Sequence, residues 1–253
     1  MRKPKSLFDI YNKLFDAFGP QHWWPAETPF EVMVGAILTQ NTNWGNVERA
    51  IANLRAENVL TPQRINVTTL LRLKRLIRCS GVYNQKARRL KAFVCYLIER
   101  YRGDIRRMRR EDVRKLREEL QSLDGIGPET ADSILLYALG KPVFVIDAYT
   151  RRAFSRYGFL SETHGYDDWQ RLFMDNLPAD VELFNEYHAL IVRLAKTYCR
   201  KRPNCTECPL LTIGKPKTQY GHSENGPGVG GKRRNRPIHS GLLRSKSTEP
   251  CSQ

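Results

Sequence analysis

No stretch of the chain approaches ~18 consecutive apolar residues, which excludes a membrane-spanning helix. The first residues, Met1-Arg2-Lys3-Pro4-Lys5-Ser6-Leu7-Phe8, lack the apolar centre and small-residue cleavage site of a secretory signal. The expected compartment is therefore a reducing cytoplasm, at the nucleoid if the source is bacterial. There the six cysteines read as thiols or metal ligands in place of disulfides. Strand-like runs are almost missing, with Val143, Phe144, Val145 and Ile146 forming one short candidate. Acidic residues are in deficit as well: 26 Asp plus Glu stand against 42 Lys plus Arg, a formal net charge of +16. That excess points to a polyanionic partner, although basic character alone also fits ribosomal and membrane-surface proteins. Aromatics at 10% exclude a wholly disordered basic chain.

What is present is helical rhythm. Leu7, Ile10, Tyr11, Leu14, Phe15 and Phe18 share one stripe, and Gly19-Pro20 ends it. Phe30, Val34, Ile37 and Leu38 recur at the same spacing after Pro29, and further periodicities follow at 46–56, 67–78, 84–101 and 111–122. These patterns predict an all-α fold of about ten helices. After Leu210 the rhythm stops. Residues 212–253, rich in Gly, Ser, Pro, Lys and Arg, are expected to be a disordered basic tail, either adding phosphate attraction or simply solvated.

The most informative stretch is Leu123-Asp124-Gly125-Ile126-Gly127-Pro128-Glu129-Thr130-Ala131. Gly125 and Gly127 permit a tight turn with exposed amides, and Pro128 suits the first position of the next helix. Amides and a helix N-terminus together can hold a DNA phosphate, with Ile126 buried between the helices; a plain helix–helix turn would use the same residues. The strand-like run 143–146 then leads to Asp147, ahead of a helix that begins Ala148-Tyr149-Thr150. Asp147 reads as an N-cap, which would keep it ionised. Beside a phosphate-gripping hairpin, such a carboxylate could also stabilise a sugar oxocarbenium ion and activate water.

Taken together, residues 123–152, the run 30–42 and Gly81-Val82-Tyr83-Asn84-Gln85-Lys86-Ala87 resemble the endonuclease III-like DNA glycosylases of the helix–hairpin–helix–Gly-Pro-Asp superfamily. The resemblance extends over roughly residues 5–210 and is closest in pattern to the monofunctional 3-methyladenine DNA glycosylase branch. It implies two helical domains with a DNA-binding cleft between them. One is a six-helix barrel domain at 26–142 carrying the hairpin, and the other an iron–sulfur-type helical domain built from 1–25 plus 143–211. It further implies a monomeric base excision repair enzyme that acts on double-stranded DNA holding a damaged base, with Asp147 as catalytic carboxylate. Gly125, Ile126, Gly127 and Lys86 would contact DNA. Gln40 would fill the gap left by the flipped nucleotide, and Val82 would wedge from the opposite side.

Two departures from the family pattern matter. Bifunctional members carry a lysine two residues after the second hairpin glycine, where this chain has Glu129. A carboxylate cannot form the Schiff base that strand cleavage by β-elimination requires, so the expectation is a monofunctional enzyme. Glu129 is then either a second catalytic carboxyl or a favourable acid in the first helical turn. Lyase chemistry through another amine, such as Lys141 or Lys196, and a non-catalytic DNA-binding relative are the alternatives; Asp147 argues against the latter. Trp23, Trp24 and Trp44 either pack a core or offer aromatic faces to an alkylated, cationic purine such as 3-methyladenine. The second departure concerns Cys199-x5-Cys205-x2-Cys208. Spacing alone suggests zinc, while the resemblance implies a [4Fe–4S] cluster held by four cysteines. The fourth is expected near Ile213 and Gly214, and Cys251 is the one downstream candidate. Arg200, Lys201 and Arg202, between the first two ligands, are placed to reach phosphate.

Overall fold

A computed structural model describes residues 6–23 and 26–213, and among these there is no β-strand. The fold is all-α, as the periodicities predict. It comprises α1 Leu7–Phe18, α2 Pro29–Leu38, α3 Trp44–Ala56, α4 Pro62–Val67, α5 Leu70–Leu76, α6 Tyr83–Tyr101, α7 Ile105–Arg109 and α8 Val113–Ser122. After the hairpin come α9 Pro128–Ser133, which continues as a π-helical turn Ile134–Ala138, then α10 Ala148–Arg156, α11 Tyr166–Met174 and α12 Val181–Thr197. More helices are present than expected because capping residues break the longer periodic runs. The expected helix 67–78 is split where the Thr69 hydroxyl accepts from the Arg72 amide and starts α5 afresh.

Two apolar cores organise these helices. Side chains from α2 to α9 build the first, around Met33, Ile37, Leu54, Leu90, Phe93 and Leu116. The second joins α1 to α10, α11 and α12, and centres on an aromatic nest in which Phe144 stacks on Phe173 at 4.1 Å between centroids. The π-helical turn serves both: Ile134, Leu135 and Ala138 face the first core, while Leu136 faces the second. A buried polar tie also crosses between them. Asp132 on α9 is 0% exposed; it accepts from Arg117 Nε of α8 at 2.8 Å and from Gln170 Nε2 of α11 at 2.7 Å.

The strand-like run 143–146 is extended but pairs with no strand among the described residues. Side chains satisfy its backbone instead: Gln170 Nε2 donates to the Phe144 carbonyl at 2.8 Å, and the Ile146 amide donates to Tyr166 Oη at 3.2 Å. The segment is a buried linker that passes from one core to the other and delivers Asp147 to its helix. The fold continues past the composition break at Leu210. Pro209–Thr212 forms a 3-10 turn, Leu210 is buried, and Ile213 packs on the second core. Residues 214–253, with Cys251, and Trp24 lie outside the described residues.

Candidate active site

The hairpin is built as its residues require. Gly125 has φ +74, a region that costs other residues strain, and Ile126 is buried between the helices. A Cβ at Gly125 would run into the Arg89 side chain of α6. Pro128 opens α9 with Gly127 at its N-cap, so the first amides of the helix have no side-chain partner from the cap residue. Gln40, just beyond α2, fastens this turn from below. Its Nε2 donates to the Gly125 carbonyl at 2.9 Å and to Thr130 Oγ1 at 3.0 Å, while its Oε1 accepts from Arg89. Gly125→Ala is therefore expected to cost about 1–3 kcal/mol and to weaken duplex binding, because it strains φ and displaces Arg89 from Gln40. Urea melting and a DNA titration check this; unchanged stability would contradict it.

Val82 sits at the N-terminus of α6 with φ 43, in the left-handed region that a β-branched residue rarely occupies, and it is 53% exposed. Val82 is thus an exposed apolar tip held in a strained conformation. Lys86 differs from expectation. It is 1% exposed, and its Nζ donates to the carbonyls of Leu38 at 2.8 Å and Ser80 at 2.6 Å. Burial, aided by Arg89, lowers its pKa to about 8. Lys86 is thus a strut between α6, the end of α2 and the preceding turn, its ammonium turned inward.

A cleft of about 850 Å³ opens in front of the hairpin, lined from the first core's side by Gln40, Trp44 and Glu129 and from the second's by Asp147 and His188. That volume accommodates a nucleobase with its sugar. Trp23 also lines it, whereas Trp44 donates its Nε1–H to Glu48 at 2.7 Å. Asp147 caps α10. Its Oδ1 accepts from the Thr150 amide at 2.7 Å and from Thr150 Oγ1 at 2.9 Å, and its Oδ2 lies 3.5 Å from His188 Nε2. Burial alone would raise the Asp147 pKa. The His188 charge and contact, together with the two Thr150 hydrogen bonds, outweigh it and hold the group below the usual carboxylate range. Glu129 goes the other way. Crowding by protein and the nearby Asp147 charge push its pKa up to about 7, with His188 and Arg151 opposing. One cleft thus holds an ionised carboxylate and a carboxyl that retains its proton near neutrality.

His188 and Tyr137, joined by a 2.6 Å hydrogen bond between Tyr137 Oη and His188 Nδ1, were not legible as site residues. Their signal was a polar group on an otherwise apolar helical stretch, which does not separate a site residue from a satisfied core residue. Of the other lysines considered, Lys196 lines the cleft, and Lys141 instead donates to the Glu111 carbonyl at 2.8 Å. Arg200, Lys201 and Arg202 are exposed after α12; Arg156 holds the carbonyls of Arg200 and Lys201 at 2.7 and 3.2 Å.

The cysteines lie together but do not form a four-thiolate set. Cys199 Sγ accepts from Arg156 Nη1 at 3.2 Å, and Cys208 Sγ lies 3.6 Å from Tyr157 Oη. Ile213, at the position where the family pattern calls for the fourth ligand, packs its side chain on the second core. Among the described residues no three His, Cys, Asp or Glu side chains stand as metal ligands. The residues described therefore do not fit a four-cysteine [4Fe–4S] cluster, and no step of the chemistry below depends on one.

A glycine-turned hairpin, a capping aspartate and a base-sized cleft between two helical cores define a helix–hairpin–helix DNA repair protein. The chain belongs to the HhH-GPD superfamily of base excision DNA repair proteins, whose family model matches residues 34–179. It is 50% identical over 210 residues to MJ1434 of Methanocaldococcus jannaschii, a candidate DNA repair glycosylase, covering 82% of this chain and 95% of that one. Among solved structures, the Helicobacter pylori 3-methyladenine DNA glycosylase MagIII bound to 1,N6-ethenoadenine superposes with a TM-score of 0.67 at 28% identity, over 76% of this chain and 98% of that one. A trapped covalent endonuclease III–DNA intermediate superposes with a TM-score of 0.70 at 25% identity, over 81% and 92% of the two chains.

Proposed function

We propose that the protein hydrolyses the N-glycosidic bond of a damaged base flipped out of duplex DNA into this cleft, without cutting the strand. The observation that carries this reading is the placing of Asp147 and Glu129 together in one base-sized cleft at the hairpin, in surroundings that favour the ionised form of the first and the protonated form of the second. The C1′–N bond breaks with its electron pair leaving on the base, and Asp147 stabilises the oxocarbenium ion that forms. Glu129 delivers its proton to the departing nitrogen where the base is neutral. Water adds to C1′ and passes its proton to the carboxylate left on Glu129, or to Asp147 where Glu129 has kept its own, leaving a free base and an abasic site. Strand cleavage would need an amine at C1′, and Glu129 stands in the cleft where bifunctional members carry their lysine, so borohydride reduction should trap no adduct on abasic DNA. An efficient covalent adduct would overturn the monofunctional assignment and turn attention to Lys196.

For the substrate class we favour alkylated purines, whose cationic rings suit the aromatic faces of Trp23 and Tyr137. A second reading, a neutral damaged or mismatched base, is favoured by Glu129, since a cationic purine leaves without needing its proton. The two separate by pH. The acid form of Glu129 is present below its pKa of about 7 and lost above it. Release of a neutral base should fall about tenfold per unit as pH rises past that point, while release of 3-methyladenine should stay flat. Single-turnover assays on methylated, uracil-containing and mismatched duplexes measure both, and release from none would sink the proposal.

A further inference from the structure

His188 is buried on α12 and has no part in the chemistry just described, yet it reaches Asp147 from one side and Tyr137 from the other. We infer that His188, anchored by Tyr137, is a positioning residue that fixes the orientation and charge of the Asp147 carboxylate. The inference rests on the reading of Asp147 as the carboxylate facing the sugar.

The hydrogen bonds fix which nitrogen of His188 faces Asp147. Asp147 Oδ1 is already occupied by the Thr150 amide and hydroxyl, so Oδ2 is the oxygen that His188 meets. Burial keeps the Tyr137 phenol protonated, far above its ordinary range, so its hydroxyl donates to Nδ1 of a neutral His188 or accepts from Nδ1–H of a charged one. In both forms a proton lies on Nε2, aimed at Oδ2. The opposite tautomer would point a lone pair at an anion. At 3.5 Å the Nε2–Oδ2 contact is longer than a good hydrogen bond and acts chiefly through charge and dipole. Trp23 closes the assembly edge-on, its ring centroid 6.3 Å from that of His188. Other charged or titratable groups share the cleft: Glu129 from α9, Arg151 from α10, Arg89 from α6, Tyr166 from α11 and Lys196 from α12. Of these Glu129 and Asp147 oppose each other's ionisation, so a fixed donor on the Asp147 side determines which of the two keeps the negative charge.

The test compares full-length wild type with His188→Phe, His188→Gln and Tyr137→Phe on a duplex whose base the wild type releases. His188→Phe should slow single-turnover release by about 10–100-fold with duplex affinity unchanged. Its acid limb should also move to higher pH by about one unit, because removing the partner that depresses Asp147 lets burial raise it. His188→Gln, which keeps a donor toward Oδ2 but not a charge, should recover most of the rate while the limb stays shifted. Tyr137→Phe should shift both in the same direction by less. A rate loss with the acid limb unmoved would reduce His188 to packing, and an unchanged rate would remove it from the mechanism; either overturns the inference. The carboxyl carbon resonance of Asp147, titrated with and without His188, reads the same contact without any base release. If wild type releases no base, the functional reading has failed, and the titration still decides the pairing.

Discussion

Asp147→Asn is expected to slow base release by about a thousand-fold or more while leaving duplex affinity within about twofold. Asparagine caps a helix as well as aspartate does, and its carbonyl oxygen can keep both Thr150 hydrogen bonds, so α10 should start where it does now. What disappears is the negative charge. The oxocarbenium ion then forms beside a neutral amide, and the amide competes for orientation with the His188 Nε2 proton, which has lost its acceptor. Because the substitution leaves the hairpin, Gln40 and the basic surface intact, DNA should still dock. Single-turnover release together with a fluorescence titration of a lesion duplex separates the two effects. Normal release would remove Asp147 from the chemistry; loss of both release and binding would point to a damaged fold.

The second large effect concerns stability. Arg117→Leu should destabilise the protein by about 3–5 kcal/mol, since it leaves the fully buried Asp132 with a charge and one fewer partner on each oxygen. At this size that corresponds to a fall in melting temperature of roughly 6–20 °C. Burial works against the Arg117 charge, but Asp132 and the exposed Asp167 outweigh it and hold the guanidinium above its ordinary range. Burial conversely raises Asp132, with Arg117, Tyr166 and Gln170 opposing. Adding Asp132→Asn to Arg117→Leu should return part of the loss, because no uncompensated charge is then buried. Thermal and urea melts of the single and double variants check this. A loss below about 1 kcal/mol would mean that water reaches the pair. The tie matters for function because Asp132 lies on the helix that the hairpin opens, and Gln170 carries the link on to the segment that delivers Asp147.

What the sequence by itself determined was whatever depends on neighbours along the chain. Helical class follows from the spacing of Leu7, Ile10 and Leu14 and its counterparts. The hairpin follows from Gly125, Gly127 and Pro128, whose backbone preferences act locally, and Asp147 was legible as a cap three residues ahead of Thr150. Even the missing lysine at Glu129 could be read from one position. Tertiary structure decided the rest, because distant residues set the environment there. Lys86 belongs to a motif that suggests DNA contact, yet the carbonyls of Leu38 and Ser80 draw its ammonium inside. Extended and apolar, the run 143–146 looks like a strand until Gln170 and Tyr166 prove to satisfy its backbone. His188 and Tyr137 are 51 residues apart and give no joint pattern, and only packing of α12 against the π-helical turn brings them to Asp147. The opposite shifts of Glu129 and Asp147 likewise come from packing, since desolvation and the Asp147 charge raise Glu129 while His188 and Thr150 hold Asp147 down against its own burial. Local backbone chemistry thus made the scaffold and its aspartate readable, while charge state and partnership in the cleft depended on long-range packing.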